Sequence, residues 1–149
     1  MSELFFEDLS VGQSFESAPY AVSEKAIVEF AREFDVQAFH LSAAAAEQSL
    51  FGGLAASGWH TAAIAMRLFT TTVRFSGGCI GLAVDDLRWP IAVRPNDTIV
   101  LQTEIVKLRT SKSKPQHGII RIRNVARNQH GAVVLSYEAD ALVSRRPNE

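Results

Sequence analysis

The sequence predicts a single α+β domain in which an antiparallel sheet wraps around one apolar helix, and three observations predict it. Residues 133–144 alternate with period two, as a half-buried strand does. Ahead of the strand-rich half lies one helix-length stretch, Trp59 to Phe69, that is apolar on nearly every side. Short turns rich in Pro, Gly and Asn separate the strand-like runs, and antiparallel neighbours use such connections where parallel ones cannot. A chain of 149 residues is the size of one ordinary domain, and residues 1–149 hold no repeat, low-complexity tract or linker that would divide it.

Ser14 to Val22 reads as an edge strand. Ser23 is then a candidate N-cap for a helix whose inner face carries Ile27, Phe30, Ala31 and Phe34, with Glu24, Glu29 and Arg32 turned to water. A short helix follows the second cap candidate, Ser42, and runs through Ala43–Ala46 to about Ser49, where Phe51-Gly52-Gly53 breaks it. The core helix begins after Ser57-Gly58 and is expected to be enclosed by other structure, with Trp59 and Met66 in the core. Strands are expected over about 78–93, 98–112, 118–128 and 131–145, forming an antiparallel meander. Its turns fall at Arg94-Pro95-Asn96-Asp97, Lys114-Pro115-Gln116-His117-Gly118 and Asn128-Gln129-His130-Gly131.

Composition excludes several function classes. At 47% hydrophobic and 21% charged residues, the chain lacks the signature of disorder. Fifteen Lys and Arg against sixteen Asp and Glu give a net charge of −1, so no overall field draws it to nucleic acid or an anionic membrane. The apolar stretch from Leu54 to Phe69 is interrupted by Ser57, His60, Thr61 and Arg67, and falls short of the ~20 residues a spanning helix needs. A single cysteine, Cys79, and an N-terminus without a signal-like apolar run make the cytoplasm the expected location. No metal site is expected, because His40, His60, His117 and His130 have no paired ligand spacing.

The chemistry-bearing candidates are Asp35 and His40, an acid and an imidazole five positions apart among apolar neighbours. On one continuous helix, five residues turn about 140° and the side chains diverge. They converge only if the helix ends near Asp35. The blander reading makes Asp35 a turn-ending residue and His40 an ordinary boundary histidine.

Three stretches taken together identify a family: Asp35-x-x-x-x-His40, then Phe51-Gly52-Gly53-Leu54-Ala55-Ala56-Ser57-Gly58-Trp59-His60-Thr61, then Leu87-Arg88-Trp89-Pro90 followed by Val93-Arg94-Pro95-x-Asp97-Thr98. Nearly the whole chain resembles the MaoC-like acyl dehydratases, the R-specific enoyl-CoA hydratase branch of the hotdog fold. The family often has Gly before the acid and Asn-Pro before the histidine, where this chain has Phe34 and Ala38-Phe39. The resemblance implies a curved antiparallel sheet around a central helix and at least a homodimer formed through neighbouring sheets. It also implies an acyl-CoA thioester substrate of fatty acid metabolism, with coenzyme A present only as part of that substrate.

Carried over by position, the catalytic acid and histidine fall on Asp35 and His40, and Ser57 matches a serine that supports the acid. These residue types suit the reaction, since hydrating a thioester-conjugated double bond needs a proton removed from water and another delivered to the α carbon. Gly58, at a helix start where backbone N–H groups lack helical acceptors, is the candidate oxyanion donor. For Ser57 an N-cap role is an equally available reading. Phe51, Gly52 and Gly53 are substrate-contact candidates, with a tight turn as the plainer account of the glycines. Lys112 and Lys114, with Lys107 and Arg109, are candidates for the coenzyme A phosphates or simply form a solvated basic edge. His60 reads as a satisfied buried histidine.

Two other functions compete, a hotdog acyl-CoA thioesterase and a noncatalytic acyl-CoA-binding module. Many hotdog thioesterases carry an acid in or near the central helix, yet residues 57–74 contain none. A binding module needs no proton-transfer pair.

Overall fold

The period-two segments form long strands whose inward residues are apolar. In the computed structural model, which describes residues 2–148, these are β3 (Cys79–Arg88), β4 (Thr98–Thr110), β5 (His117–Arg127) and β6 (Val133–Ser144). Ile99, Leu101 and Ile105 of β4, Ile120 and Ile122 of β5, and Leu135 and Val143 of β6 are buried together. Strands β3 to β6 pair antiparallel throughout, and β4 is joined to β5 and β5 to β6 as the turns predict.

The meander expected for all four strands is corrected at β3. Sheet order is β1 (Ser14–Glu16), β4, β5, β6, β3, so β3 lies against β6 at the far edge rather than beside β4. The strand also stops at Arg88 instead of reaching 93, because Trp89-Pro90 leads into an irregular segment that carries the chain across to β4. The expected edge strand over 14–22 is likewise split into β1 (Ser14–Glu16) and β2 (Tyr20–Ala21), both on β4. Between them Pro19 has no N–H to give a ladder.

Helix α1 (Glu24–Phe34) starts at Ser23, whose hydroxyl accepts from the Ala26 N–H at 3.1 Å. Ile27 and Ala31 are fully buried, but Phe34 is 67% exposed, because the helix ends there and its last turn overhangs the core. Two short helices, α2 (Ala38–Leu41) and α3 (Ala43–Glu47), follow, the second capped by Ser42. The central helix α4 (Gly58–Thr72) buries Ile64, Ala65, Leu68 and Phe69 against the sheet. It is not enclosed as expected, since Trp59 is 60% and Met66 52% exposed. The sheet covers one side of the helix and Phe30 of α1 covers His60, while the flank that carries Trp59 and Met66 stays open. No helix among the described residues is long and apolar enough to cross a membrane.

Two polar features lie on opposite faces of the sheet. Inside, Thr103 Oγ1 donates to Asn124 Oδ1 and Asn124 Nδ2 donates to the Tyr137 hydroxyl, each pair directly opposite across neighbouring strands. Outside, Arg121 meets Asp85 at 2.9 Å, Glu138 at 3.0 Å and Asp140 at 3.2 Å, while Arg123 meets Glu104 and Glu138. Arg121 and Arg123, two residues apart on β5, are thus paired with carboxylates of the same chain.

Candidate active site

The site is built where α1 stops. Asp35 caps its C-terminus with φ −153° and ψ 74°, which takes the backbone out of the helix while its N–H still donates to the Ala31 carbonyl. The Gln37 N–H then donates to the Asp35 carbonyl at 2.8 Å, and α2 begins one residue later. This break cancels the divergence of a continuous helix. Asp35 Oδ2 and His40 Nε2 come to 3.3 Å, with the His40 side chain 6% and the Asp35 side chain 18% exposed. The turn-ending reading of Asp35 and its pairing with His40 are both correct, the first producing the second.

The tautomer of His40 follows from its other nitrogen. Nδ1 lies 2.6 Å from the Ala55 carbonyl, which can only accept, so Nδ1 carries the proton. In the neutral ring Nε2 therefore presents a lone pair toward a carboxylate oxygen. Two acceptors at that separation repel unless a proton or a donor molecule lies between them, and one water can donate to both.

The carboxylate is held in its charged form. The Ser57 hydroxyl, ahead of the Gln37 amide and, when it is protonated, the His40 ring, keeps the Asp35 carboxyl below its ordinary range, while partial burial opposes the shift. Gln37 Nε2 donates to Asp35 Oδ1 at 2.5 Å. Ser57 is fully buried, and its oxygen also accepts from the Trp59 N–H at 3.3 Å, so it caps α4 and faces the acid at once. An accepted bond leaves the hydroxyl proton free for the carboxylate.

Asp35, His40, Phe51 and Gly58 line one cleft of about 370 Å³, together with Phe39, Trp59, Trp89, Ile91 and Val93. The segment that crosses from β3 to β4 forms its far wall. Trp89 Nε1 donates to the Gly58 carbonyl at 2.8 Å, and the indole lies so close that a Cβ on residue 58 would stand 2.8 Å from it. Gly58 thus admits the indole, and its own N–H sits in the first turn, where the helix supplies no acceptor.

Other expected residues lie elsewhere. Gly52 makes an exposed turn with φ +64°, and Gly53 contributes its carbonyl to Arg94, so neither lines the cleft. Lys112 and Lys114 sit in the exposed turn beyond Thr110, at the opposite end of β4 from Asp97, and do not line the cleft. His60 is buried as expected but not satisfied: its ring stacks on Phe30 at 4.8 Å and its Nδ1 has no partner among the described residues. Burial pushes its imidazole toward the neutral form. Sequence reasoning missed the work of Gln37 and Arg94. The motif Val93-Arg94-Pro95 signalled the arginine, but which carbonyls it reaches depends on tertiary contact.

A protein-family model described as MaoC like domain matches residues 7–127. The chain belongs to the MaoC-like family. The MaoC-like dehydratase from Rhodospirillum rubrum is similar at 47% identity and a TM-score of 0.92, covering 97% of this chain and 99% of that one. The R-hydratase PhaJ1 from Pseudomonas aeruginosa shares the fold, at 23% identity and a TM-score of 0.79 over 97% of this chain and 88% of its own. An uncharacterized protein of Bacillus subtilis (strain 168), YdeM, is 26% identical over 140 residues, 93% of this chain and 98% of that protein. The fold of this MaoC-like chain is accordingly the hotdog fold, and its general class is hydratase or dehydratase.

Proposed function

We propose that this MaoC-like protein adds water across, or removes it from, the 2,3 double bond of an enoyl-CoA thioester, with (R)-3-hydroxyacyl-CoA as the hydrated product. The observation that carries this reading is the pair of converging acceptors, Asp35 Oδ2 and His40 Nε2, 3.3 Å apart at the wall of a cleft. One water donating to both is polarised for attack. Its oxygen bonds to the β carbon, one of its protons passes to the Asp35–His40 pair, and the pair returns a proton to the α carbon, so the elements of water are added and nothing else changes. Charge that develops on the thioester oxygen meets the Gly58 N–H, aided by the dipole of α4.

Thioester cleavage is less well supported, because α4 contains no carboxylate and the acid that lines the cleft is Asp35. A straight-chain trans-2-enoyl-CoA is expected to lose its enoyl absorbance, give the R alcohol by chiral analysis and release negligible thiol. Rapid thiol release from a saturated acyl-CoA would place the right residues in the wrong reaction.

The protein works as a homodimer in this proposal. β3 is an edge strand carrying exposed Ile80, Leu82 and Val84, beside the exposed Trp59 and Met66 of α4. An unpaired apolar edge of this kind is an aggregation hazard that pairing with an identical subunit removes. Sedimentation at micromolar concentration is expected to show a dimer or larger, and a monomer would refute the assembly.

A further inference from the structure

The segment between α3 and α4, residues 48–57, makes few backbone bonds of its own, yet it must deliver the Ala55 carbonyl to His40. Two amides tie it to the rest of the site, with Ala55 N–H donating to the Phe39 carbonyl and Ala56 N–H to the Val93 carbonyl. Three of its carbonyls are gathered by a single side chain. Arg94 Nη2 donates to the Phe51 carbonyl at 2.6 Å, and Nη1 donates to Gly53 at 2.8 Å and more weakly to Leu54 at 3.4 Å.

This arginine makes no ion pair among the described residues, so its fork is spent on neutral carbonyls. The anchor is itself braced. The Arg94 N–H donates to Asp97 Oδ2 at 2.8 Å, and the buried Asp97 accepts at Oδ1 from Gln129 Nε2, also at 2.8 Å. Gln129 Oε1 in turn accepts from the Thr98 N–H at the start of β4. The guanidinium also lies 5.9 Å from the centre of the Phe51 ring, which packs on Phe39 at 5.0 Å and on His40 at 5.9 Å.

We propose that Arg94 is a positioning residue for His40: by clamping the carbonyls of residues 51, 53 and 54 it fixes the Ala55 carbonyl that keeps the proton on Nδ1 and the Nε2 lone pair toward Asp35. The argument is one of donors. A planar guanidinium offers five N–H groups in a fixed fork and can hold several carbonyls at once, whereas a lysine ammonium on its flexible stem cannot reproduce that geometry. Released carbonyls would let the segment shift, and Ala55 follows Leu54 directly. A misplacement of about 1 Å in a catalytic constellation costs on the order of 10²-fold in rate.

The test joins a spectroscopic and a kinetic readout on the full-length protein. Long-range ¹H–¹⁵N NMR of the His40 ring is expected to show the single Nδ1–H tautomer in the wild type, and a mixture of tautomers in Arg94→Lys and Arg94→Gln. With a trans-2-enoyl-CoA, kcat is expected to fall about 10-fold in the lysine variant and about 100-fold in the glutamine variant, with KM changed less than about threefold. A wild-type tautomer and wild-type kcat in folded Arg94→Lys overturn the proposal. The kinetic part rests on the hydratase reading and the tautomer does not, so an inactive wild type condemns that reading and leaves the NMR result to decide this one. Should the Arg94 variants unfold, Gln129→Leu decides in their place by loosening the brace at Asp97, where a mixed tautomer supports the role and an unchanged spectrum overturns it.

Discussion

The sheet and the segment from Asp35 to Ser57 hold their shapes by different means. β4, β5 and β6 pair along their lengths, and the fully buried Ile105, Ile120 and Leu135 lie in one apolar layer beneath α4. The segment above carries the Asp35–His40 pair on a four-residue helix and irregular chain, tied down by the Ala55 carbonyl and the Arg94 fork. Stability in the sheet is spread over many residues of similar type, while geometry at the site depends on a few polar contacts of specific type. Substitutions in the two regions should therefore fail in opposite ways.

The largest effect is expected at the site and should be invisible to folding. Asp35→Asn removes the charged acceptor while keeping its shape, and His40→Gln removes the proton-handling nitrogen. Each should lower hydration about 10²- to 10⁴-fold, equivalent to roughly 3 to 5 kcal/mol of transition-state stabilisation. Thermal unfolding should move little in Asp35→Asn, whose side chain keeps a polar group opposite Gln37. Near-normal turnover in both variants would remove the pair from the mechanism.

The same difference explains what the sequence made legible. Period two over 133–144, the capped helix after Ser23 and the turn at Asn128-Gln129-His130-Gly131 are local signals, and each matches the structure because burial on one face and turn chemistry act over a few residues. The position of β3 was not legible, since a short Pro-bearing connection resembles a hairpin whether the chain turns back or crosses to the other edge. The Asp35–His40 contact was legible only through the family resemblance, because periodicity does not reveal that α1 ends one residue before the acid. Likewise, nothing local distinguishes Arg94, which reaches carbonyls more than forty positions upstream, from Arg88, which pairs with nearby Asp86 in solvent.

The second effect reverses the first. Ile120 is fully buried on β5, the middle strand of the sheet, and Ile120→Ala leaves a void in the apolar layer. Denaturant unfolding should show a loss of about 2 to 5 kcal/mol. Turnover per folded molecule, measured well below the new melting transition, should stay within about twofold, because the cleft touches none of the atoms removed. A large fall in kcat at unchanged stability would mean that the site senses the sheet far more closely than the contacts indicate.

The smallest effect is expected where the two regions meet, at Ser57, which caps the helix of the body and faces the acid of the site. Ser57→Ala removes one cap and should cost about 1 kcal/mol of stability. It also removes the first cause that holds the Asp35 carboxyl below its ordinary range, while the opposing burial remains, so this carboxyl must titrate at higher pH in the variant. The sign of the stability change follows. A carboxyl depressed in the folded state contributes stability that is present above its unfolded value and lost as pH falls through the folded one. Ser57→Ala should therefore be less stable than the wild type at neutral pH, and the gap should narrow as the medium is acidified through the carboxylate range. In the hydration assay the acid limb of kcat/KM should move upward in the variant, because the charged carboxylate that accepts from water persists over a narrower range. A pH-rate profile that keeps its acid limb, with only the cap's loss of stability, would assign Ser57 to the helix alone.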